Sequence, residues 1–243
     1  LKAVIVAAGR GKRLMPLTAD RPKPLVHVCG HPILDYLLYG LKQAGIYNAV
    51  IVVRYLGEQI IDYYGNGSKV GMALEYAWQE GPDGTGSALL AAVPYVGDLP
   101  FMLLWGDVLM DPINYSRILH RFKERPCALL SGLNWVDDPT SGAAVFVEGN
   151  RIVGITEKPP AGQANTHWNQ AGLFICTEAV IEAVKACGLS SRGEIEFTSA
   201  VQILISSGAD IQWLPIEGFW SDIGTPETVA FLNANPHLLW SIS

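Results

Sequence analysis

The chain has 243 residues, 49% hydrophobic and 16% charged, with a formal net charge of −6; this is a globular composition with no disordered tract. The acidic balance excludes the broad basic face that a nucleic-acid backbone rewards. No apolar run reaches the ~18 residues that span a bilayer, and the short N-terminal apolar stretch lacks a signal-peptide layout.

Residues 2–8 form a continuous apolar run, as expected of a strand buried on both faces. It empties into a loop holding Gly9, Gly11, Lys12 and Arg13, then Pro16-Leu17-Thr18 and Pro22-Lys23-Pro24. Six of the 17 Lys and Arg residues fall within the first 23 positions. Bare backbone N–H groups at glycines, ringed by cations, suit a polyphosphate. The loop is not a dinucleotide fingerprint, because Leu14 stands where a third glycine belongs. Nor is it a Walker loop, because Gly11-Lys12 is followed by Arg13 and the spacing is too short.

Apolar residues at helical spacing predict a helix over 32–44, with Pro32 near its first turn and Gly45 as its stop. A strand over 48–53, a helix over 56–64, a strand over 72–78, a helix over 85–93 and a strand over 100–105 follow. Asp107 lies just past the last of these, at the strand end where α/β sheets present ligand-binding groups. Next come a helix over 113–124 and a strand over 127–133. Strands over 143–148 and 151–157 flank Gly149-Asn150, a hairpin turn. A strand over 170–176, helices over 178–186 and 194–206, a strand over 211–215 and a helix over 226–233 complete the chain. Early βαβ units argue for a parallel sheet covered on both faces, and the hairpin adds antiparallel strands. The expectation is one α/β domain over 1–243 with a mixed, mainly parallel central sheet and a small substrate-binding lobe. The loop over 159–168 is the candidate mobile segment. Four scattered cysteines without a C-x-x-C pair read as reduced thiols of a cytoplasmic protein.

The pattern G-x-G-x-R-L-x-P-L-T followed by P-K-P resembles the signature of the sugar-1-phosphate nucleotidylyltransferases, the nucleoside-diphosphate-sugar pyrophosphorylases. The resemblance runs over residues 1–235 and implies a Rossmann-like three-layer α/β/α fold, with a nucleotide-binding half over 1–110 and a sugar-phosphate-binding half over 111–235. Larger relatives append an acyltransferase β-helix, and no hexapeptide repeat of that kind occurs here. The implied partners are a nucleoside triphosphate and a sugar-1-phosphate, with no nucleic acid or membrane, and a homo-oligomer is compatible with the resemblance. In the implied reaction a sugar-phosphate oxygen attacks the α-phosphorus and pyrophosphate leaves; cations and Mg²⁺ overcome the repulsion of the two anions.

By this resemblance Arg13 and Lys23 are the catalytic cations, and Asp107 and Asp222, the latter in W-x-D-I-G-T-P, are the magnesium ligands. Ala7, Ala8, Gly9, Gly11, Gln79, Gly84 and Thr85 would contact the nucleotide. The Gln79 amide offers a donor beside an acceptor, which fits uracil or thymine and also guanine. The Gly84-Thr85-Gly86 form favours UTP or dTTP. Gly142, Glu157, Lys158, Asn169 and Gln170 would receive the sugar phosphate, with Trp220 walling the site. Lys12 departs from the usual small residue before the arginine, and Gln170 from the usual asparagine. His27 and His31 align with an ordinary loop-to-helix stretch, not a metal site. Two other readings stay open at this point: transfer of CMP to phosphocholine, and a non-catalytic subunit that binds nucleotide-sugar.

Overall fold

In the computed structural model, which describes residues 1–160 and 162–242, nine strands join into one sheet. In chain order the strands are β1 (Lys2–Val6), β2 (His27–Val28), β3 (His31–Pro32), β4 (Asn48–Val53), β5 (Ala73–Trp78), β6 (Phe101–Trp105) and β7 (Val108–Met110). They continue as β8 (Leu129–Trp135), β9 (Ala143–Glu148), β10 (Arg151–Glu157), β11 (Trp168–Cys176), β12 (Ile211–Pro215) and β13 (Trp220–Asp222). The helices are α1 (Ile33–Gln43), α2 (Gly57–Tyr64), α3 (Thr85–Val96), α4 (Ile113–Glu124), α5 (Glu178–Lys185), α6 (Phe197–Ser206) and α7 (Pro226–Ala234).

The sheet runs β5-β4-β1-β6-β11-β8-β12-β10-β9. Its first four strands are parallel, as the early βαβ pattern predicts. β11 enters antiparallel between β6 and β8, β12 lies parallel to β8, and the hairpin β9–β10 packs beyond it. β9 then returns to β11, where Asn169 faces Ala144, so the later strands curl into the expected lobe. β1 shows why its run had to be apolar throughout. Ala3, Ile5 and Ala7 face one core, shared with α1, α2, α4 and α7, while Val4 and Ala8 face the other, shared with α3, α5 and α6. A helix layer on each face leaves a central strand no solvent side.

Four differences from the sequence reading have identifiable causes in the folded chain. α3 runs on through Pro94 to Val96, because a proline in the last turn forfeits a single hydrogen bond. β8 extends to Asn134 and Trp135, which pair with Asn169 and Trp168 across the ladder. α6 starts at Phe197, three residues later than the pattern suggests, because the backbone of Ile195 is engaged elsewhere. β7 and β13, absent from the sequence reading, pair with each other across more than a hundred residues of chain. Ala161, inside the predicted loop over 159–168, lies outside the described residues. Among the described residues no helix is long and apolar enough to cross a membrane. All four cysteines are unpaired.

Candidate active site

The chain leaves β1 and turns at Gly11, whose φ of 64° is left-handed. A Cβ there would lie 3.0 Å from Thr18 Cγ2 and 3.2 Å from Lys23 Cβ, so both conformation and space call for glycine. The Thr18 hydroxyl donates to the Gly11 carbonyl at 2.8 Å, and fully buried Leu14 anchors the short turn between them. Gly9 differs: a Cβ would meet nothing within 4 Å, and the residue lies on the wall of a cleft. A second short turn, Lys23–Leu25, buries Pro24 and leaves Lys23 only 8% exposed.

Lys23 points at two carboxylates. β13 pairs antiparallel with β7, setting Asp222 opposite Val108, and Ile223 N donates to the Asp107 carbonyl at 2.9 Å. That pairing brings together two residues 115 positions apart (222 − 107). Lys23 Nζ lies 2.7 Å from Asp107 Oδ2 and 3.8 Å from Asp222 Oδ1, and Arg13 lies 3.8 Å from Asp222 Oδ2. Burial, then the neighbouring Asp107, holds the Asp222 carboxyl above its usual range despite the two cations. Asp222 Oδ1 is buried without a hydrogen-bond partner. Adjacent hard oxygen donors, one of them unsatisfied, fit Mg²⁺, which takes one or two carboxylates and fills its shell with phosphate oxygens and water. Among the described residues no third histidine, cysteine or carboxylate joins them, so the donor set does not resemble an all-protein cage.

The loop between β5 and α3 forms the next stretch of wall. Gln79 is buried, and its Nε2 donates to the carbonyls of Pro82 and Gly84 at 3.2 and 3.1 Å. The donor half of the amide is thus spent on the loop, and the Oε1 acceptor is left for a ligand. Gly84 has φ 119°, and a Cβ would lie 2.2 Å from the Ile195 carbonyl oxygen. The glycine read from sequence as part of a base-reading loop is therefore demanded by a neighbouring backbone. At the mouth Arg54 pairs with Asp83, and Arg10 sits 5.3 Å from the centre of the Tyr55 ring.

The opposite wall belongs to the lobe. Lys158 takes a left-handed φ of 43°, and its N–H donates to the Gly142 carbonyl at 2.8 Å. The space a side chain at Gly142 would need is filled by the Asn169 amide, 2.6 Å from the ideal Cβ. Asn169 Nδ2 donates in turn to the Pro139 carbonyl at 3.2 Å. Gln170 Nε2 is buried without a partner. Trp220 Nε1 donates to the Ala171 carbonyl at 3.0 Å, which fixes that ring on the wall. Arg192 lies 3.5 Å from Glu157, 3.5 Å from Glu194 and 3.1 Å from Glu196. Burial raises the Glu157 carboxyl above its usual range, against the pull of Arg192 and Lys158.

The two walls enclose one cleft of about 1050 Å³. It gathers Ala8, Gly9, Gly11, Arg13, Lys23, Gln79, Gly84, Thr85, Asp107, Gly142, Glu157, Lys158, Asn169, Gln170 and Asp222. Ala7 stands apart: it is buried, and its N–H is held by the Val52 carbonyl at 2.9 Å. Arg192, Glu194 and Glu196 were missed from sequence: the two glutamates merge into the predicted helix over 194–206, and Arg192 lies just ahead of it. The signal available was their density of charge just ahead of an apolar helix.

A family model described as "Nucleotidyl transferase" matches residues 2–239. A glucose-1-phosphate thymidylyltransferase of Streptomyces antibioticus is 37% identical over 226 residues, covering 92% of this chain and 63% of that protein. The UTP–glucose-1-phosphate uridylyltransferase AglF of Haloferax volcanii is 34% identical over 230 residues, covering 93% of each. A crystal structure from Bacillus anthracis, assigned as a glucose-1-phosphate thymidylyltransferase, superposes with a TM-score of 0.86 at 26% identity, covering 96% of this chain and 94% of that one. The chain spans less than two thirds of the Streptomyces protein, and about half the length of the methanogen relatives named bifunctional protein GlmU.

Proposed function

Because the chain belongs to the nucleotidyl transferase family, we propose that it joins a nucleoside triphosphate and a sugar-1-phosphate to give a nucleoside-diphosphate sugar and pyrophosphate. The observation that carries this is the cluster of Lys23, Arg13, Asp107 and Asp222 between the glycine loop and the lobe. The relatives named for thymidylyl and uridylyl transfer to glucose-1-phosphate support the same reaction class.

The first obstacle is repulsion between two anions. Lys23, packed into the cleft floor, supplies a fixed point charge, and the exposed Arg13 guanidinium can grip two phosphate oxygens at once. A phosphate monoester is already a nucleophile, so no general base or covalent intermediate is needed. A sugar-phosphate oxygen bonds to the α-phosphorus as the α–β phosphoanhydride bond breaks, and the electron pair leaves with pyrophosphate. Asp107 and Asp222 would hold Mg²⁺, which when bound supplies positive charge to the phosphates. Holding both substrates in one cleft supplies much of the remaining advantage.

The Gln79 acceptor suits a base with a ring N–H, as in uracil, thymine or guanine. Arg192 weighs against transfer to phosphocholine, because it already fills the acidic pocket a quaternary amine would need. The retention of both cations and both carboxylates weighs against a purely regulatory subunit. Four unpaired cysteines and the family reaction suit a cytoplasmic enzyme.

The test is pyrophosphate release from a panel of UTP, dTTP, GTP and CTP against several hexose-1-phosphates and phosphocholine, with Mg²⁺ and with chelator. Turnover with UTP or dTTP and a sugar-1-phosphate, lost on chelation, is the expected result. Turnover only with CTP and phosphocholine, or with no pair, overturns the proposal.

A further inference from the structure

The ribbon that brings the two acidic side chains together is short. β7 and β13 pair over three residues each, with Asp222 opposite Val108 at one end and Trp220 opposite Met110 at the other. A two-stranded ribbon of that length is marginal by itself and must be fastened from outside. Past Trp220 one more backbone bond follows, with Asp111 N donating to the Phe219 carbonyl at 2.9 Å. The chain then turns at Pro112 into α4, where the ladder cannot continue. Asn114, in the first turn of α4 and only 1% exposed, takes over. Its Nδ2 donates to the Glu217 carbonyl at 2.8 Å, and its Oδ1 accepts from Glu217 N at 2.9 Å. Opposed residues of an antiparallel ladder exchange two bonds in this way; here a side-chain amide stands in for one of the two peptides.

The rest of the amide's capacity is used as well. Nδ2 also donates to the Asp111 carbonyl at 3.0 Å, and Oδ1 accepts from Arg117 Nη1 at 3.0 Å, so both donors and both lone pairs are engaged. Arg117 reaches on to the Pro215 carbonyl at 2.9 Å and pairs with Glu217 at 2.6 Å. Gly218 completes the turn with a φ of 70°, and a Cβ there would lie 2.8 Å from Asp111 Oδ2. The segment over 215–219 is thereby fixed on α4, immediately ahead of the strand that carries Asp222. Resting on the reaction above and its metal, we propose that Asn114 is a positioning residue for that metal. It registers β13 against β7 and so holds Asp222 beside Asp107. It acts through the ribbon, since its own side chain forms no part of the cleft wall.

The experiment compares Asn114→Ala with Ile118→Ala, a fully buried position one turn further along the same helix. The first readout is hydrogen exchange at the Ile223 amide, which donates to the Asp107 carbonyl and so reports the contact between the two halves of the metal site. The second is the Mg²⁺ concentration for half-maximal turnover of UTP with glucose-1-phosphate. Asn114→Ala should speed Ile223 exchange and raise the Mg²⁺ requirement, each ~10-fold, the scale seen when a metal ligand loses its support. Its KM for glucose-1-phosphate should stay within about twofold of wild type, the ordinary scatter of a surface change away from the site. Ile118→Ala should lose as much Tm and leave both readouts near wild type. If Asn114→Ala does not fold, Arg117→Met decides in its place: it removes one bond to the amide and should move both readouts the same way by ~3-fold. The inference fails if the folded variant keeps wild-type exchange at Ile223 and a wild-type Mg²⁺ requirement. It also fails if Ile118→Ala moves both readouts as far, which would make Asn114 a packing residue of α4. Wild-type protein without Mg²⁺-dependent turnover overturns the proposed reaction and this reading with it; normal wild-type turnover with unmoved readouts in the variant overturns this reading alone.

Discussion

At the proposed phosphate end of the cleft two cations, Arg13 and Lys23, pair with two carboxylates, Asp107 and Asp222; in the lobe Arg192 and Lys158 lie with three, Glu157, Glu194 and Glu196. With Arg10 and Lys12 also on its wall, the first end carries the cations that the proposed polyphosphate needs. The second carries excess negative charge and offers carboxylate acceptors, which suit the hydroxyls of an uncharged ring better than a second phosphate. The same ingredients in a different ratio thus fit the two ends for different chemistry. Removing a charge from each end should have different kinetic signatures.

The largest effect is expected from Asp107→Asn, which should cut turnover ~10³-fold or more while circular dichroism and Tm stay near wild type. A variant with near-normal turnover would remove Asp107 from the proposed metal site. Lys23→Ala should cost ~10²-fold in kcat/KM, as lost transition-state electrostatics does. An unchanged rate would reduce Lys23 to a structural partner of Asp107. At the other end Glu157→Gln should raise KM for the sugar-1-phosphate ~10-fold, as expected for a lost charged hydrogen bond, and leave KM for the nucleotide alone. If it lowered kcat as Asp107→Asn does, the contrast between the two ends would collapse.

The smallest effect concerns pH. Burial raises the Glu157 carboxyl, so folding favours its protonated form. That contribution to stability is complete below the ordinary carboxylate range and is lost as pH rises through the raised value. Glu157→Gln keeps the neutral form at every pH. Its Tm should exceed that of wild type by ~1–3 °C at pH 7, with the gap closing toward pH 4. A gap that widens on acidification would mean that the pair with Arg192 outweighs the cost of burial.

The phosphate end was far more legible in the sequence than the lobe, for a physical reason. Gly11, Leu14, Thr18 and Lys23 make their contacts with one another within 15 residues, so the motif contains its own structure. The parallel strands β4, β1 and β6 were equally visible, because burial on both faces leaves an unbroken apolar run. In the lobe the needed contacts are remote. Glu157 meets Arg192 from another strand and another loop, and nothing near either residue announces the other. Residues 194–196 looked helical because their extended path is set by Asp83 and Gly86, more than a hundred positions away. β7 and β13 are three residues each, too short for periodicity, and exist through their mutual pairing. The Gln79 amide was read correctly as lying on the loop, but its donors are taken by carbonyls whose direction only the folded backbone sets.

The return of β9 onto β11 bears on how copies of this molecule meet one another. A row of unpaired backbone groups along an outermost strand is a template for recruiting further chains, and folded proteins guard it. Here the curled end has turned its last strand back toward its own middle. Among the described residues, β5 lies at the other end of the sheet with no second neighbour; its Glu75 is tied to Lys2 and its Trp78 is partly exposed. A charge added along 73–78 should therefore keep the protein dispersed at high concentration, because it would block strand addition at that rim.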